Sequence, residues 1–195
     1  MSKKYSTTCA DYLIWDQMTN LVRKLFDDQN YKMCLLVAIG SFWGLRISDI
    51  LALRWNEVLE KDSIEIIEKK TKKKRIIAVN PQLKQLISDC YLKTKPIGIQ
   101  SHIFLSQKGS VYSIQRINII LKQIKVKYKL DIHNFSTHTF RKTMGRQVLT
   151  LSGENAEFAL IKLMEIFNHS SLNITKRYLG LKAEEIKETY ELLSF

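Results

Sequence analysis

One stretch of the chain, YKMCLLVAIGSFWGL at residues 31–45, is apolar on nearly every side of the helix that it would form. A helix that is hydrophobic all round has no face for water, so it must lie at the centre of a folded domain. A membrane-spanning helix needs about 18–20 largely uncharged apolar residues, and no such window occurs in the sequence. The chain is therefore predicted to pack its other elements around a buried central helix.

Helical periodicity also dominates the rest of the chain. In residues 11–28, apolar side chains recur at the spacing of one helix face, and this stripe consists of Leu13, Met18, Leu21, Val22 and Leu25. The segment SDILALRW, residues 48–55, is predicted to open a third helix, with Ser48 or the preceding turn as its cap. Further helices are predicted at about 82–94, 113–128, 139–151, 155–168, 171–180 and 182–193.

The middle of the chain carries the clear β signal. The segments SIEIIEKK and KRIIAVN are short, rich in β-branched residues and separated by a lysine run, which predicts an antiparallel hairpin with a charged tip. HIFLS at residues 102–106 is a further candidate for a short strand. With 7 Gly, 2 Pro and no repeat, the sequence offers no linker and predicts one domain over residues 1–195. The predicted fold class is mainly α with a small antiparallel β-sheet (α+β).

Charge narrows the class of partner. The chain carries 31 Lys and Arg against 19 Asp and Glu, a formal net charge of +12. This excess favours a polyanionic partner through counterion release, although charge does not separate DNA, RNA and a membrane surface. Three cysteines without metal-ligand spacing predict neither a zinc site nor a disulfide framework. The N-terminal MSKKYSTTCADYL lacks the apolar segment of a signal peptide, so a soluble, cytoplasmic protein is expected.

Two segments place cations where the chain turns. In GLRISDILALRW, residues 44–55, Arg46 follows the central helix and a glycine, so it points away from a buried element or pairs with Asp49 at a helix start. In KKTKKKR, residues 69–75, six of the seven residues are cationic. This tip is either a solvated surface or, because like charges repel, a contact for phosphates. The run itself does not identify one functional lysine.

Two later segments bring histidine close to arginine or tyrosine. STHTFRKTMG, residues 136–145, places His138 and Arg141 on one helical face, which is either merely exposed or able to hold a phosphate from two sides. In FNHSSLNITKRYLG, residues 167–180, His169 is either a helix cap or a ligand, and Tyr178 is either a core tyrosine or a nucleophile. A phenol with a pKa of about 10 needs nearby cations to stabilise its phenolate.

In this order and spacing, the four segments resemble the catalytic domain of the tyrosine recombinases, the phage-integrase family. GLRISDILAL resembles that family's G-L-R-x-S-E-L-x-x-L box, HTFR its H-x-L-R box, and FNHSSLNITKRY its L-G-H-S-S…T…Y box. KKTKKKRIIAV is similar to the family's G-K-G-x-K-x-R-x-V-P-L hairpin, which places the family's lysine at Lys70, with Lys72 or Lys73 as alternatives. The resemblance spans the chain from about residue 12 to the end.

The chain departs from the family pattern in three ways. Asp49 replaces the usual Glu, and Asn168 stands where the family usually has Gly, which affects the turn before His169. The chain is also expected to lack the N-terminal helical domain with which most members clamp the other face of DNA. It is therefore expected to be either a fragment or similar to the family's small single-domain members, such as the fimbrial-switch invertases.

The resemblance implies a tyrosine-recombinase catalytic-domain (DNA breaking-rejoining enzyme) fold and a site-specific recombinase. Tyr178 would attack a phosphodiester and form a 3′-phosphotyrosyl bond that conserves the bond energy, so no ATP would be required. No metal or other cofactor is expected, because arginines would take the role of a metal. Arg46 and Arg141 would hold the phosphate, and His169 would donate a hydrogen bond to it. His138 would take the phenol proton, and Lys70 would protonate the leaving 5′-oxygen.

The implied partner is double-stranded DNA, bound by the chain as a homo-oligomer, a tetramer, in a bacterial or phage nucleoid. Further DNA contacts are expected from Lys69, Lys72, Lys73, Lys74 and Arg75. The last segment, KAEEIKETYELLSF at residues 182–195, predicts a helix with Ile186, Tyr190 and Leu193 on an apolar stripe and acidic residues opposite. It is expected either to dock on a neighbouring protomer, as the family's terminal helix does, or to pack on its own core, about residues 12–181.

Two alternative functions stay open at this point. A type IB topoisomerase shares the tyrosine chemistry and would relax supercoils without strand exchange. A non-catalytic DNA-binding regulator would also be basic and helical, but it would need no nucleophile. The sequence specifies neither the target site nor the choice between integration, excision, inversion and resolution.

Overall fold

The fold is described for residues 10–181 and 190–192 in a computed structural model. The chain divides into two compact units, one ending at Thr143 and the other beginning at Met144. Most of the described residues are helical, and β1 and β2 form a two-stranded antiparallel sheet, so the predicted fold class is confirmed. The assignment of the whole chain to a single domain stays a prediction.

The first unit combines helices with the two-stranded sheet. Its elements are α1 (Trp15–Asp27), α2 (Tyr31–Trp43), α3 (Ile47–Ile50), α4 (Trp55–Val58), β1 (Ser63–Ile67), β2 (Lys74–Ala78), α5 (Pro81–Thr94), α6 (Ile114–Lys127) and the N-terminal part of α7 (Thr137–Ser152). The second unit contains the rest of α7, a 3₁₀ turn (Gly153–Asn155), α8 (Ala156–Phe167) and α9 (Leu172–Leu179).

The central helix of the first unit is α2, as its apolar composition predicts. Both α1 and α5 pack against it. Its middle residues are fully buried, namely Leu35, Leu36, Val37 and Ile39. The helix predicted over residues 11–28 begins only at Trp15, so Leu13 precedes it. The predicted stripe still faces this core, with Leu13, Met18, Leu21 and Leu25 buried and Val22 packed at its margin. The core of this unit thus surrounds α2, and the chain leaves α2 at Gly44 to enter the segment that carries Arg46.

The predicted third helix is present but short. It begins at Ile47 and ends at Ile50, and its N-cap is Arg46. Of the two predicted caps, the preceding turn is therefore correct, and Ser48 lies inside the helix. The chain then becomes extended because the Leu53 carbonyl accepts from the Ile103 amide at 3.0 Å, and Arg54 forms an antiparallel bridge with His102. A second short helix, α4, follows. The predicted strand at residues 102–106 is reduced to two isolated bridges, Arg54 with His102 and Leu105 with Val111.

The predicted hairpin is confirmed, and its register fixes the direction of its side chains. Ser63 pairs with Ala78 and Ile67 pairs with Lys74. Side chains alternate between the two faces of a strand, so Ile64 and Ile66 point inward while Glu65 and Ile67 are exposed. The tip closes through two backbone hydrogen bonds, from Glu68 N–H to the Lys73 carbonyl at 3.0 Å and from Lys72 N–H to the Glu68 carbonyl at 2.8 Å.

The second unit has a small core of its own. Its buried residues are Leu160, Leu163, Phe167 and Leu179, with Tyr178 among the partly buried residues packed on them. Gly145 of α7 allows a close approach, because a Cβ at that position would lie 2.6 Å from Leu179 Cδ2 and 3.1 Å from Phe167 Cζ. The short helix α9 therefore rests on α8 and α7 through Phe167 and Leu179, which flank the candidate residues His169 and Tyr178 in the sequence.

Several other predictions can be compared with the structure. α5 to α9 begin and end within two residues of their predicted bounds. Cys34 and Cys90 are buried free thiols. No helix in the described part of the chain has the length and apolar character that a membrane crossing requires. The predicted C-terminal helix falls mainly on residues 182–189 and 193–195, which lie outside the described residues.

Candidate active site

The C-terminal end of α2 holds two arginine side chains. Arg141 donates from Nη1 to the Gly44 carbonyl, and Arg75 donates from Nη2 to the Trp43 carbonyl at 2.8 Å. The last carbonyls of a helix have no intrahelical donor and carry partial negative charge, so guanidinium groups are stabilised there. Gly44 adopts a left-handed conformation with φ of 58° and ends the helix two residues before Arg46. The C-terminal end of α2 therefore binds the guanidinium groups of Arg141 and Arg75, and the segment that follows it carries Arg46.

Arg46 is bound by a carboxylate from the hairpin. Its Nη1 donates to Glu68 Oε2 at 2.5 Å, and the Arg46 side chain is 20% exposed. The same carboxylate accepts from Thr71 Oγ1 at 2.8 Å, and its other oxygen lies 3.8 Å from Arg75 Nη1. Glu68 therefore contacts two arginines and the hairpin tip at once.

The carboxyl group of Glu68 stays ionised although its side chain is only 3% exposed. Burial by itself raises the pKa of this carboxyl, but hydrogen bonds from Thr71 and Arg46 and the positive charges of Arg46 and Arg141 outweigh it, so the pKa lies below its ordinary value. Sequence analysis did not single out Glu68. A signal was present, because Glu68 has the same inward parity as Ile64 and Ile66 along the hairpin.

Asp49 is a second buried acid that faces the hairpin. It is 3% exposed, and its Oδ1 accepts from the Lys69 backbone N–H at 2.9 Å. Asp49 stands at the position where the family usually has glutamate. Although its side chain is one methylene shorter, it still reaches the hairpin. The short helix α3 and the hairpin tip are consequently linked by the Asp49 contact as well as by the Arg46 contact.

The hairpin tip presents the predicted lysines to the surface. Exposed side chains are those of Lys69, Lys70, Lys72, Lys73 and Lys74. Lys74 also pairs with Glu65 across the two strands at 2.7 Å. Arg75 differs from this group, since its guanidinium contacts Trp43 and Glu68 inside the unit. The structure thus separates an exposed lysine group from an arginine that supports the site from within.

His138 lies at the start of α7, one turn before Arg141. Partial desolvation lowers the pKa of the His138 imidazole, and the positive charges of Arg141, Lys142 and Arg46 lower it further. The imidazole is therefore neutral at neutral pH and can accept a proton. Gly40 of α2 allows α7 to approach closely, because a Cβ there would lie 2.8 Å from Phe140 Cβ.

In the second unit, His169 and Tyr178 are neighbours. Their ring centroids lie 5.3 Å apart with the planes at 70°, and Phe167 packs against both rings at 5.5 Å. Edge-to-face packing of this kind fixes ring orientation. His169 Nδ1 also shares a hydrogen bond with Thr175 Oγ1 at 3.1 Å, so the orientation of the imidazole is fixed from two sides.

The turn before His169 tolerates the change from glycine to asparagine. Asn168 has φ of 48° and ψ of 53°, the left-handed conformation that glycine adopts most easily and that asparagine also tolerates. The His169 N–H then bonds to the Met164 carbonyl at 2.9 Å. Ser171 caps α9 by accepting from the Ile174 N–H at 3.3 Å. Asn168 therefore keeps the turn that precedes His169.

The six candidate residues divide between the two units. Arg46, Lys70, His138 and Arg141 belong to the first unit, and His169 and Tyr178 belong to the second. Among residues 10–181 and 190–192, no three His, Cys, Asp or Glu side chains are grouped so as to hold a metal ion. The arrangement provides a cationic group suited to an anionic ligand and, separately, a phenol whose ring is packed beside an imidazole.

Comparison with known proteins defines the class. The model of the phage integrase family matches residues 15–185. The probable integrase/recombinase YoeC of Bacillus subtilis (strain 168) is 33% identical over 173 residues, which cover 88% of this chain and 90% of that protein. This chain therefore belongs to the phage integrase family, and the predicted family is confirmed. The topoisomerase and regulator alternatives are not favoured by these matches.

Two further similarities concern length and fold. Tyrosine recombinase XerC of Xanthomonas axonopodis pv. citri (strain 306) is 24% identical over 150 residues, and the match covers 76% of this chain but 46% of that protein. The chain thus spans about half the length of this relative. A crystal structure of the XerH site-specific recombinase bound to its palindromic difH substrate, a post-cleavage complex, has a TM-score of 0.69 at 18% identity. The match covers 98% of this chain and 55% of that chain, and the fold is that of a tyrosine recombinase catalytic domain.

Proposed function

We propose that this protein is a site-specific DNA recombinase that cleaves and rejoins DNA through a 3′-phosphotyrosyl intermediate on Tyr178. The observation that carries the proposal is the grouping of Arg46 and Arg141 near the C-terminal end of α2, where Arg46 bonds to Glu68, Arg141 bonds to the Gly44 carbonyl, and both positive charges act on Glu68 and on the His138 imidazole. Such fixed cations stabilise the charge that grows on phosphate oxygens in a transition state. Family membership supplies the reaction class.

In the proposed reaction, the Tyr178 oxygen attacks phosphorus and the bond from phosphorus to the 5′-oxygen breaks. His138 takes the phenol proton, and Lys70 gives a proton to the leaving 5′-hydroxyl. Arg46 and Arg141 hold the non-bridging oxygens, and His169 donates a further hydrogen bond. One phosphoester bond is exchanged for another, so rejoining is the reverse reaction and needs no ATP.

Double-stranded DNA is the proposed partner. The net charge of +12 and the exposed lysines of the hairpin tip support it, because each neutralised phosphate releases counterions and favours binding. The proposed phosphate contacts are those of Lys69, Lys72, Lys73 and Lys74. Arg75 is proposed to act from inside the unit, given its contacts with Trp43 and Glu68. XerH, a similar protein, is bound to difH DNA in its crystal structure.

We further propose that the chain acts as one catalytic domain in a homotetramer on DNA, in the nucleoid of a bacterial cytoplasm or of a phage-infected cell. Residues 182–195 would dock on a neighbouring protomer and couple cleavage between subunits. Deletion of residues 183–195 should leave DNA binding by a folded protein intact but abolish synapsis and recombination. Retention of both activities in a folded deletion variant would contradict the docking proposal.

The test of the reaction is a covalent trap. Nicked duplexes tiled across the DNA that flanks the protein's own coding sequence would release a short 5′-hydroxyl strand after cleavage, so the adduct accumulates. Wild type should give a denaturation-resistant protein–DNA adduct, and Tyr178→Phe should give none while it binds the same duplex equally well. Tyr112→Phe is the matched control, because Tyr112 packs against the core of the first unit and is not one of the candidate residues, and it should form the adduct. Equal adduct formation by Tyr178→Phe would contradict the proposal.

Strand exchange separates recombination from simple relaxation. A plasmid that carries two copies of the duplex that forms the adduct should yield recombinant products with wild-type protein. Relaxation of supercoils without recombinant products would instead assign the topoisomerase function.

A further inference from the structure

Glu68 is a buried acid in a cationic site, and the proposed reaction has no step for it. It immediately precedes the segment that resembles the family's hairpin box. Its side chain is 3% exposed, bonds to Arg46 and Thr71 through Oε2 and lies beside Arg75 through Oε1. A buried carboxylate is costly unless its partners are fixed, so these contacts restrict the carboxylate and its partners to one arrangement.

The backbone of the same residue closes the hairpin tip. Its N–H bonds to the Lys73 carbonyl at 3.0 Å, and its carbonyl accepts from Lys72 N–H at 2.8 Å. Lys70 lies between these two closures. Glu68 therefore anchors the tip through its backbone and the guanidinium of Arg46 through its side chain, so one residue connects the proposed proton donor to the proposed phosphate ligand.

We propose that Glu68 is a positioning residue that sets Arg46 and the hairpin tip in the mutual arrangement needed for cleavage. This inference rests on the proposed function. Buried ion pairs contribute little net stability compared with apolar residues of similar size, so stability alone does not require a carboxylate here. The negative charge also opposes the approach of a phosphate to the arginines. Glu68 thus weakens binding while it holds the reacting groups in place.

This combination gives a signature that a purely structural residue would not produce. Replacement by a neutral residue of the same shape removes a charge that repels DNA and also loosens Arg46. Glu68→Gln should therefore bind the nicked duplex at least as tightly as wild type and cleave it more slowly at saturating DNA. Loss of fold would instead weaken binding and cleavage together. Glu68→Asp, which keeps the charge but shortens the reach, should recover part of the rate.

The experiment measures adduct formation in a single turnover at saturating nicked duplex, with affinity and thermal unfolding measured on the same samples. Glu65→Gln is the matched control, because it removes one charge from the same hairpin at an exposed position paired with Lys74. The expected rate for Glu68→Gln is about tenfold to a hundredfold lower, since small displacements of reacting groups have effects of that size. The rate for Glu65→Gln should stay within about twofold of wild type, as expected for a surface change.

Thr71→Val tests the same connection if Glu68→Gln fails to fold. It removes the hydroxyl that donates to Glu68 and leaves both arginine contacts, so the expected rate is about threefold to tenfold lower with binding retained. Wild-type rates for a folded Glu68→Gln, or for Thr71→Val where Glu68→Gln does not fold, would overturn the assignment. If wild-type protein forms no Tyr178-dependent adduct, both the proposed function and the role of Glu68 are wrong. If wild-type protein forms the adduct and the variants form it equally fast, only the role of Glu68 is wrong.

Discussion

The two units fix their candidate residues by different forces. In the first, Arg46 and Arg141 are held by a buried carboxylate and by a helix-terminal carbonyl, so charge determines the geometry. In the second, Tyr178 is held by the edges and faces of Phe167 and His169, so ring packing determines it. The difference indicates that substitutions in the first unit act through electrostatics, whereas those in the second act through orientation.

The units also share one device, a glycine inside a helix where another element approaches closely. Gly40 faces the Cβ of Phe140, an atom fixed to the backbone of α7, whereas Gly145 faces the outer atoms of Leu179 and Phe167. Outer atoms of side chains can rotate away from an added methyl group, but a Cβ moves only with its backbone. An alanine at Gly40 in the first unit should therefore destabilise the fold more than an alanine at Gly145 in the second unit.

Among the substitutions that compare the forces acting in the two units, Arg141→Ala is expected to have the largest effect. Removal of this buried guanidinium takes away one of the two proposed phosphate ligands, and adduct formation should fall by about 100-fold to 1,000-fold, as for the loss of one transition-state donor. The rate is measured by single-turnover adduct formation on the nicked duplex. Arg23→Ala, an exposed arginine of α1, is the control and should retain the wild-type rate.

A folded Arg141→Ala protein that forms the adduct within about threefold of wild type would contradict the role of charge in the first unit. The contrast between charge in the first unit and ring packing in the second would then be wrong, because packing would determine the candidate residues of both units.

The next effect concerns pH. His138 has a pKa below the ordinary value of about 6.5, so it accepts a proton above that lower pKa and loses this capacity as pH falls through it. Adduct formation should be level near neutral pH and fall by about tenfold per unit once below the pKa. Rates measured across the acid range should place the midpoint below about 6.5 for wild type. His138→Gln should lower the rate of adduct formation near neutral pH and remove its decline at acid pH. An unchanged pH profile in that variant would contradict the role of His138 as the proton acceptor.

Gly40→Ala and Gly145→Ala compare the two close approaches directly. Overpacking costs about 1–3 kcal/mol, and the change from glycine to alanine in a helix returns about 1 kcal/mol. The expected net loss in the free energy of unfolding is about 2 kcal/mol for Gly40→Ala and about 1 kcal/mol or less for Gly145→Ala. Urea unfolding measures both. Gly98→Ala, where an added Cβ meets nothing within 4 Å, is the control. The reverse order of the two losses would contradict the account of these contacts.

The smallest effect is expected from Thr175→Val. This change removes the hydroxyl bonded to His169 Nδ1 and keeps the size of the side chain. The imidazole loses this restraint, so adduct formation should fall by about threefold to tenfold, with a stability loss of about 1 kcal/mol. Thr150→Val on α7, whose hydroxyl bonds to the Arg146 carbonyl, is the control and should cleave normally. A wild-type rate for Thr175→Val would show that ring packing alone orients His169.

The central helix, the hairpin and the helices from α5 to α9 were predictable because their periodicity reflects burial. The extent of α3 was not, since the pairing of residues 53 and 54 with 102 and 103 overrides local helix preference. The position of the turn at Asn168 was predictable from the sequence, but its left-handed backbone conformation was not. The motifs indicated all six candidate residues. Their grouping within each unit could not be derived from spacing, because it depends on contacts between distant segments.

Glu68 shows why part of the site was missed. Its inward parity was readable from the strand, but its partner Arg46 lies 22 residues away in the sequence, beyond any local pattern. Arg75 was predicted as a DNA contact together with the lysines, because a cationic run suggests uniform exposure, whereas the structure turns its guanidinium toward Trp43. Charged residues in a run therefore need the register of the strand before their roles can be separated.

The role of Tyr178 as the nucleophile can be tested by peptide mass. After the trapped adduct is digested with nuclease and trypsin, mass spectrometry identifies the peptide that carries the nucleotide. Trypsin cleaves after Arg177 and after Lys182, so the nucleotide should be found on the peptide YLGLK, residues 178–182. A nucleotide on ETYELLSF, residues 188–195, or on any other peptide that lacks Tyr178 would contradict the assignment of Tyr178 as the nucleophile.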